Sequence, residues 1–279
     1  MPISPTRREG VHHETSRGVT ADVWGYLRPL GIIESPGVGS MIDEPFTNIG
    51  QPTGSQLGGN GDGHWNQMGW WALYTNGGSV PRQVAKLHGG LILDTAATDT
   101  HKAFIASGGG AVGFAHLKED DQSQVSFEAR VEVTSAAIGN QSIAIGMADP
   151  SLGKEGNAIA AAGNAIANKN FVGFLAKTNA SKISFDVIYK KGSEATVEVE
   201  EDVFEAEKDV PFHLGIVKRK YENKVRFFIR DVQVAEVALS ATNFPKDDLL
   251  GVFAGTRTHA AAAKKFEIDW VRMAYARTD

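Results

Sequence analysis

Three of the chain's five tryptophans, Trp65, Trp70 and Trp71, fall within seven residues, directly behind the run GGNGDG at 58–63. Indole rings spaced like this can stack on sugar rings, with polar neighbours such as Asn66 and Gln67 orienting the hydroxyls. They can equally anchor a protein interface, where tryptophan is enriched. The third reading is packing: Trp65, Trp70, Trp71 and Tyr74 hold the first strand of a sandwich, and the glycines form a hinge before it. All three stay open, with packing favoured. Asp62 plus backbone carbonyls falls short of the six to eight oxygens that calcium takes, so no metal ligand is assigned. The eight histidines show no metal-ligand spacing. No Gly-x-Ser-x-Gly elbow occurs, and the glycines of ASGGGAVG at 106–113 open no helix, so they form a turn and not a phosphate cradle.

The elements that must carry such groups are mostly strands. VSFEARVEV (125–133) places Val125, Phe127, Ala129, Val131 and Val133 on one face and Ser126, Glu128, Arg130 and Glu132 on the other. That alternation predicts an antiparallel strand with a buried face and a solvated one. Further strands are predicted at 142–149, 171–178, 182–191, 195–204, 212–220, 224–231, 232–239, 249–255 and 265–276, separated by short turns. The Ala-rich stretch 153–170 interrupts the series and predicts a short inserted helix. About a dozen strands without alternating helices imply two antiparallel sheets packed face to face, closed as a jelly roll.

Residues 1–41 carry scattered Pro and Gly and no sustained period, which predicts an extended N-terminal arm ahead of a sandwich domain at 42–279. Its order is expected to come from a partner, with packing on its own domain through Val23, Trp24, Tyr26 and Leu27 as the alternative. The net charge of −5 and the lack of a Lys/Arg cluster argue against nucleic acid. Zero cysteines exclude disulfides and thiolate chemistry and fit a reducing cytoplasm. Neither a secretory h-region nor an apolar run of membrane-spanning length is present, so no membrane partner is expected.

FEARVEV resembles a strand of laminarinase-type glucanases, and FEIDWVRMAYA resembles their last strand; both imply the concanavalin A-like lectin/glucanase fold. Those enzymes carry Glu-x-Asp-x-x-Glu or Glu-x-Asp-x-Glu, because retaining hydrolysis needs two carboxyl groups about 5 Å apart on one cleft face. The motif is absent here. Glu128, Arg130 and Glu132 have the spacing, but Arg130 stands where the middle acid belongs, and the trio reads as a solvated face with charge pairs. The layout over 88–174, from GGLILDTAATDTHKAFIASGGG through FEARVEV and IAIGMADPS to IANKNFVGF, resembles virion structural proteins of tailed bacteriophages.

That resemblance implies a non-enzymatic capsid decoration or cement protein on the virion surface, made in the host cytoplasm and bound to the major capsid protein or other virion proteins. It would act as a homo-oligomer or as lattice-bound copies. The alternative is a carbohydrate-binding tail or head-fibre protein that takes a surface glycan. No catalytic residue and no cofactor is expected. The candidate partner-binding residues are Val23, Trp24, Tyr26, Leu27, Trp65, Trp70, Trp71 and Tyr74.

Overall fold

The computed structural model describes residues 21–24, 39–46, 67–68, 71–75, 80–83, 90–98, 100–108, 113–119, 123–135, 139–152, 158–177, 179–246 and 248–277. One helical turn, α1 (Ala21–Trp24), precedes the strands β1 (Gly39–Glu44), β2 (Gln67–Met68), β3 (Trp71–Thr75), β4 (Val80–Gln83), β5 (Leu91–Asp94) and β6 (Lys102–Ser107). Then come β7 (Ser123–Val133), β8 (Gln141–Ala148), β9 (Phe171–Ala176), β10 (Ile183–Lys190) and β11 (Val197–Ala206). The series ends with β12 (Phe212–Lys218), β13 (Lys224–Ile229), β14 (Val232–Ala238), β15 (Gly251–Thr258) and β16 (Lys265–Arg277).

These strands form two eight-stranded sheets. The first, sheet A, runs β14-β13-β12-β7-β16-β5-β4, with β1 paired to the C-terminal half of β16; the second, sheet B, runs β11-β10-β9-β8-β15-β6-β3-β2. The chain crosses between sheets at β1 to β2, β3 to β4, β5 to β6, β6 to β7, β7 to β8, β11 to β12, β14 to β15 and β15 to β16, as a jelly roll requires. The predicted inward face of β7 is realised: Val125, Phe127, Ala129, Val131 and Val133 are fully buried between the sheets. Edge-on aromatic pairs bridge the gap, Phe174 to Phe227 at 5.8 Å and Phe185 to Phe212 at 5.5 Å.

The outward faces depart from expectation. Strands β6, β8, β9, β10 and β15 are buried at every position, so sheet B is covered on its outer side as well. The cover includes 158–167, whose Ala158, Ile159 and Ile166 pack with Leu152 on Phe104, Phe171, Leu175, Ile188 and Phe253. No helix forms over 158–170, contrary to the sequence reading. Ile159 and Ile166 make an antiparallel bridge around a turn instead. Gly163 explains the change: its φ of +71° suits a turn and not a helix, and a Cβ there would meet Ser142 Oγ at 2.3 Å.

Part of the predicted arm also belongs to the sandwich. β1 pairs with β16 from Gly39 to Glu44, and α1 lies on the outer face of sheet A with Val23 and Trp24 buried. Val23 and Trp24, candidates for a partner contact with packing on their own domain as the alternative, cover the chain's own sheet in this structure. Tyr26 and Leu27 lie outside the described residues.

Candidate functional site

A cluster of ionisable side chains lies on the outer face of sheet A, where β7 and β16 run side by side. Glu128 is fully buried there. Its Oε2 accepts a 2.6 Å hydrogen bond from Trp24 Nε1, and its Oε1 lies 3.7 Å from His213 Nδ1. Glu132 is nearly buried too, so the expected solvated face is corrected: α1 roofs Glu128, while Glu132 stands opposite Glu267 in the strand register. The cause lies more than a hundred residues upstream in Trp24, out of reach of any local pattern.

A bulge in β16 shapes the rest. The register slips between Ile268 and Trp270, which leaves Asp269 as the extra residue and lets its carboxylate engage Arg130 Nη1. Arg272 stacks on the Trp270 ring at 4.9 Å and its Nε donates to Asp43 Oδ1 at 2.8 Å. His213 meets Trp270 edge-on at 5.6 Å.

Carboxylate oxygens of Glu132, Glu267 and Asp269 lie within 4.8 Å of one another, an oxygen set of the kind that attracts a hard cation. Three carboxylates supply about half of the oxygens calcium takes, and Arg130 already engages Asp269. Glu128 lies buried against Trp24, and Arg130 stands between Glu128 and Glu132 in the strand sequence while its guanidinium engages Asp269. Asp269 was missed from sequence because a bulge cannot be read from alternation.

Sheet B carries three further groupings. Ser142 Oγ lies 2.9 Å from the Gly163 carbonyl and 2.8 Å from His259 Nε2. A hydroxyl has one proton and a carbonyl only accepts, so that proton goes to Gly163, and His259 Nε2 must carry the hydrogen facing Ser142. In that tautomer His259 is no base for Ser142, and the pair is a staple for the turn and not a nucleophile. Lys102 and Arg257 sit opposite each other in the β6–β15 register, both buried, and Arg257 Nη1 donates to Ile159 O at 2.9 Å. Burial, and then the neighbouring Arg257 charge, pull Lys102 down to about 8.

At the far edge, Lys177 Nζ reaches Glu198 at 2.6 Å and Asp186 at 3.1 Å. A hydrogen bond between Glu198 and Glu201 lowers the first acid and raises the second. Such a split can mark an acid and base. Here Glu201 is open to solvent on edge strand β11.

Of the tryptophan cluster, Trp71 is buried in the core, tilts against Phe46 at 5.5 Å and donates from Nε1 to Glu44 Oε2 at 3.1 Å. This is packing for that one ring, joining β3 of sheet B to the end of β1. Tyr74 is on β3, but its side chain is outside the described residues, as are Trp65, Trp70 and Asp62.

No family model matches the chain, and no curated protein matches it. Solved structures do. A protein of unknown function from Shewanella oneidensis MR-1 is 12% identical with a TM-score of 0.55, covering 91% of this chain and 96% of that one. The Emp47p carbohydrate recognition domain is 11% identical with a TM-score of 0.51, over 87% of this chain and 98% of its own. A Bacillus licheniformis β-glucanase is 11% identical with a TM-score of 0.50, over 86% and 99%. The fold is a concanavalin A-like, glucanase-type β-sandwich. At these identities the likeness concerns the fold alone.

Proposed function

We propose that this chain is a non-catalytic structural protein of a bacteriophage virion, a capsid decoration protein that seats its sandwich on the shell of the major capsid protein in many copies. One observation carries the non-catalytic part. Part of each outer sheet face on which this fold could open a saccharide cleft is covered by the chain's own residues, 158–167 on sheet B and 21–24 on sheet A. Among the described residues, the carboxylates and the Ser–His pair found there are engaged in structural contacts. The edge strands β11 and β14 face outward among the described residues, which suits attachment. The layout of residues 88–174 supplies the virion part of the reading. Repetition over a lattice would multiply modest contacts.

The test is mass spectrometry of purified virions of the phage that encodes the chain, paired with co-sedimentation of purified protein with particles that lack it. Stoichiometric incorporation and rebinding are expected; absence from particles refutes the reading. A second reading, a carbohydrate-binding tail or head-fibre protein, draws on the fold shared with a carbohydrate recognition domain and a β-glucanase. A glycan array separates the two, and release of reducing ends from β-glucans would contradict both.

A further inference from the structure

The outer face of sheet A reads three consecutive residues, Asp22, Val23 and Trp24, through side chains. Ser126 Oγ donates to the Val23 carbonyl at 2.9 Å, Gln124 Nε2 to the Trp24 carbonyl at 3.2 Å, and Arg219 Nη2 to the Asp22 carbonyl at 3.1 Å. The Trp24 indole ends on Glu128. Val217, Phe228, Ala274 and Ala276 form the apolar floor. Gly215 makes room: a Cβ there would lie 2.4 Å from Val23 Cγ2. A one-turn segment thus has a shaped, sequence-selective seat, and every contact is made to the segment's own atoms. No strand hydrogen bond ties it to the sheet.

The connection to β1 is long for so short a segment. Residues 25–38 separate Trp24 from Gly39, and at about 3.3–3.6 Å per residue they can span about 50 Å. A chain of this size has a radius of gyration of about 19 Å, so that reach is comparable to a whole domain's diameter. We infer that the seat is an exchangeable docking site, in which residues 21–24 of one copy bind sheet A of a second copy of this chain.

The contacts are the same within a chain and between chains, which makes the exchange cheap, and local concentration decides between them. A link of 14 residues sets an upper bound of about a millimolar on the effective concentration, so dilute copies keep the segment to themselves while closely packed copies share it. The inference requires only a second copy and does not rest on the virion reading.

Two measurements on the full chain test it. Trp24→Ala removes the anchor and vacates the seat; a fluorescent peptide of residues 18–28 is expected to bind this variant saturably, and wild type at least about tenfold more weakly because its own segment competes. Gly215→Val blocks the seat but keeps the segment. Mixed with Trp24→Ala, it is expected to give a one-to-one heterodimer in analytical ultracentrifugation, while each variant alone stays monomeric. If Gly215→Val fails to fold by circular dichroism, the Ser126→Ala, Glu128→Gln double variant replaces it. The inference is overturned if folded Trp24→Ala does not bind the peptide, if the blocked variant binds it equally well, or if no heterodimer forms.

Discussion

Replacing Lys102 by methionine should stabilise the protein at neutral pH and destabilise it at high pH. In the folded chain Lys102 is buried next to Arg257, and its ammonium is held at about 8, below the ordinary 10.5. At about 1.4 kcal/mol per pH unit, that gap corresponds to about 3 kcal/mol by which the charged form disfavours folding. The methionine keeps most of the stem's packing but loses the polar contacts of the ammonium, so a net gain of about 1–2 kcal/mol is expected.

The sign of the pH dependence follows from proton counts. Between about 8 and 10.5 the unfolded chain still holds a proton that the native state has released, so wild-type stability rises with pH across that window. Below it both states are protonated and the full penalty stands. Urea unfolding of both proteins, followed by tryptophan fluorescence, should show a gain for Lys102→Met at about pH 7 and a loss of about 1–2 kcal/mol at about pH 11, where the wild type has recovered about 3 kcal/mol and the variant still lacks the polar contacts. A gain of equal size at both pH values, or a loss at neutral pH, would refute the claim that a desolvated charge is responsible.

Other perturbations probe other layers. Phe174→Ala, which opens the inter-sheet core opposite Phe227, should cost about 3–5 kcal/mol in urea titrations. Ser142→Ala should cost about 1–2 kcal/mol and increase proteolytic nicking within 153–167, since it frees the Gly163 turn from its staple; unchanged proteolysis would remove that role. Millimolar calcium is expected to leave the Tm unchanged, and a chelator-reversible rise of several degrees would instead establish Glu132, Glu267 and Asp269 as a cation site.

Where a strand has one face in the core and the other faces polar groups, the sequence is readable, as in β7 and in the edge strand β11, whose acidic positions alternate with Val197, Val199 and Val203. The short strands β1, β2, β4, β5 and β6 escape such reading. β6 is buried on both faces and so never alternates, and β4 carries a proline at Pro81. The outer burial of sheet B did leave a trace: Ser142, Ala144, Gly146 and Ala148 are the outward residues of β8, and a row of side chains that small is what close cover requires.

The functional face was the least legible part, for a reason of distance. Glu128 reads as a surface acid from its neighbours Ala129 and Arg130, and becomes a buried acceptor only through Trp24, 104 residues earlier. Ile159 and Ile166 are seven apart, a spacing that two helical turns satisfy as well as a hairpin does. Only the left-handed Gly163 and its contacts with Ser142 and His259 decide for the hairpin. In both places a short segment remote in sequence closes a sheet face that alternation alone would leave open to water. Exposing the covered part of either face requires displacing a buried segment, Val23 and Trp24 on one side or Ile159 and Ile166 on the other.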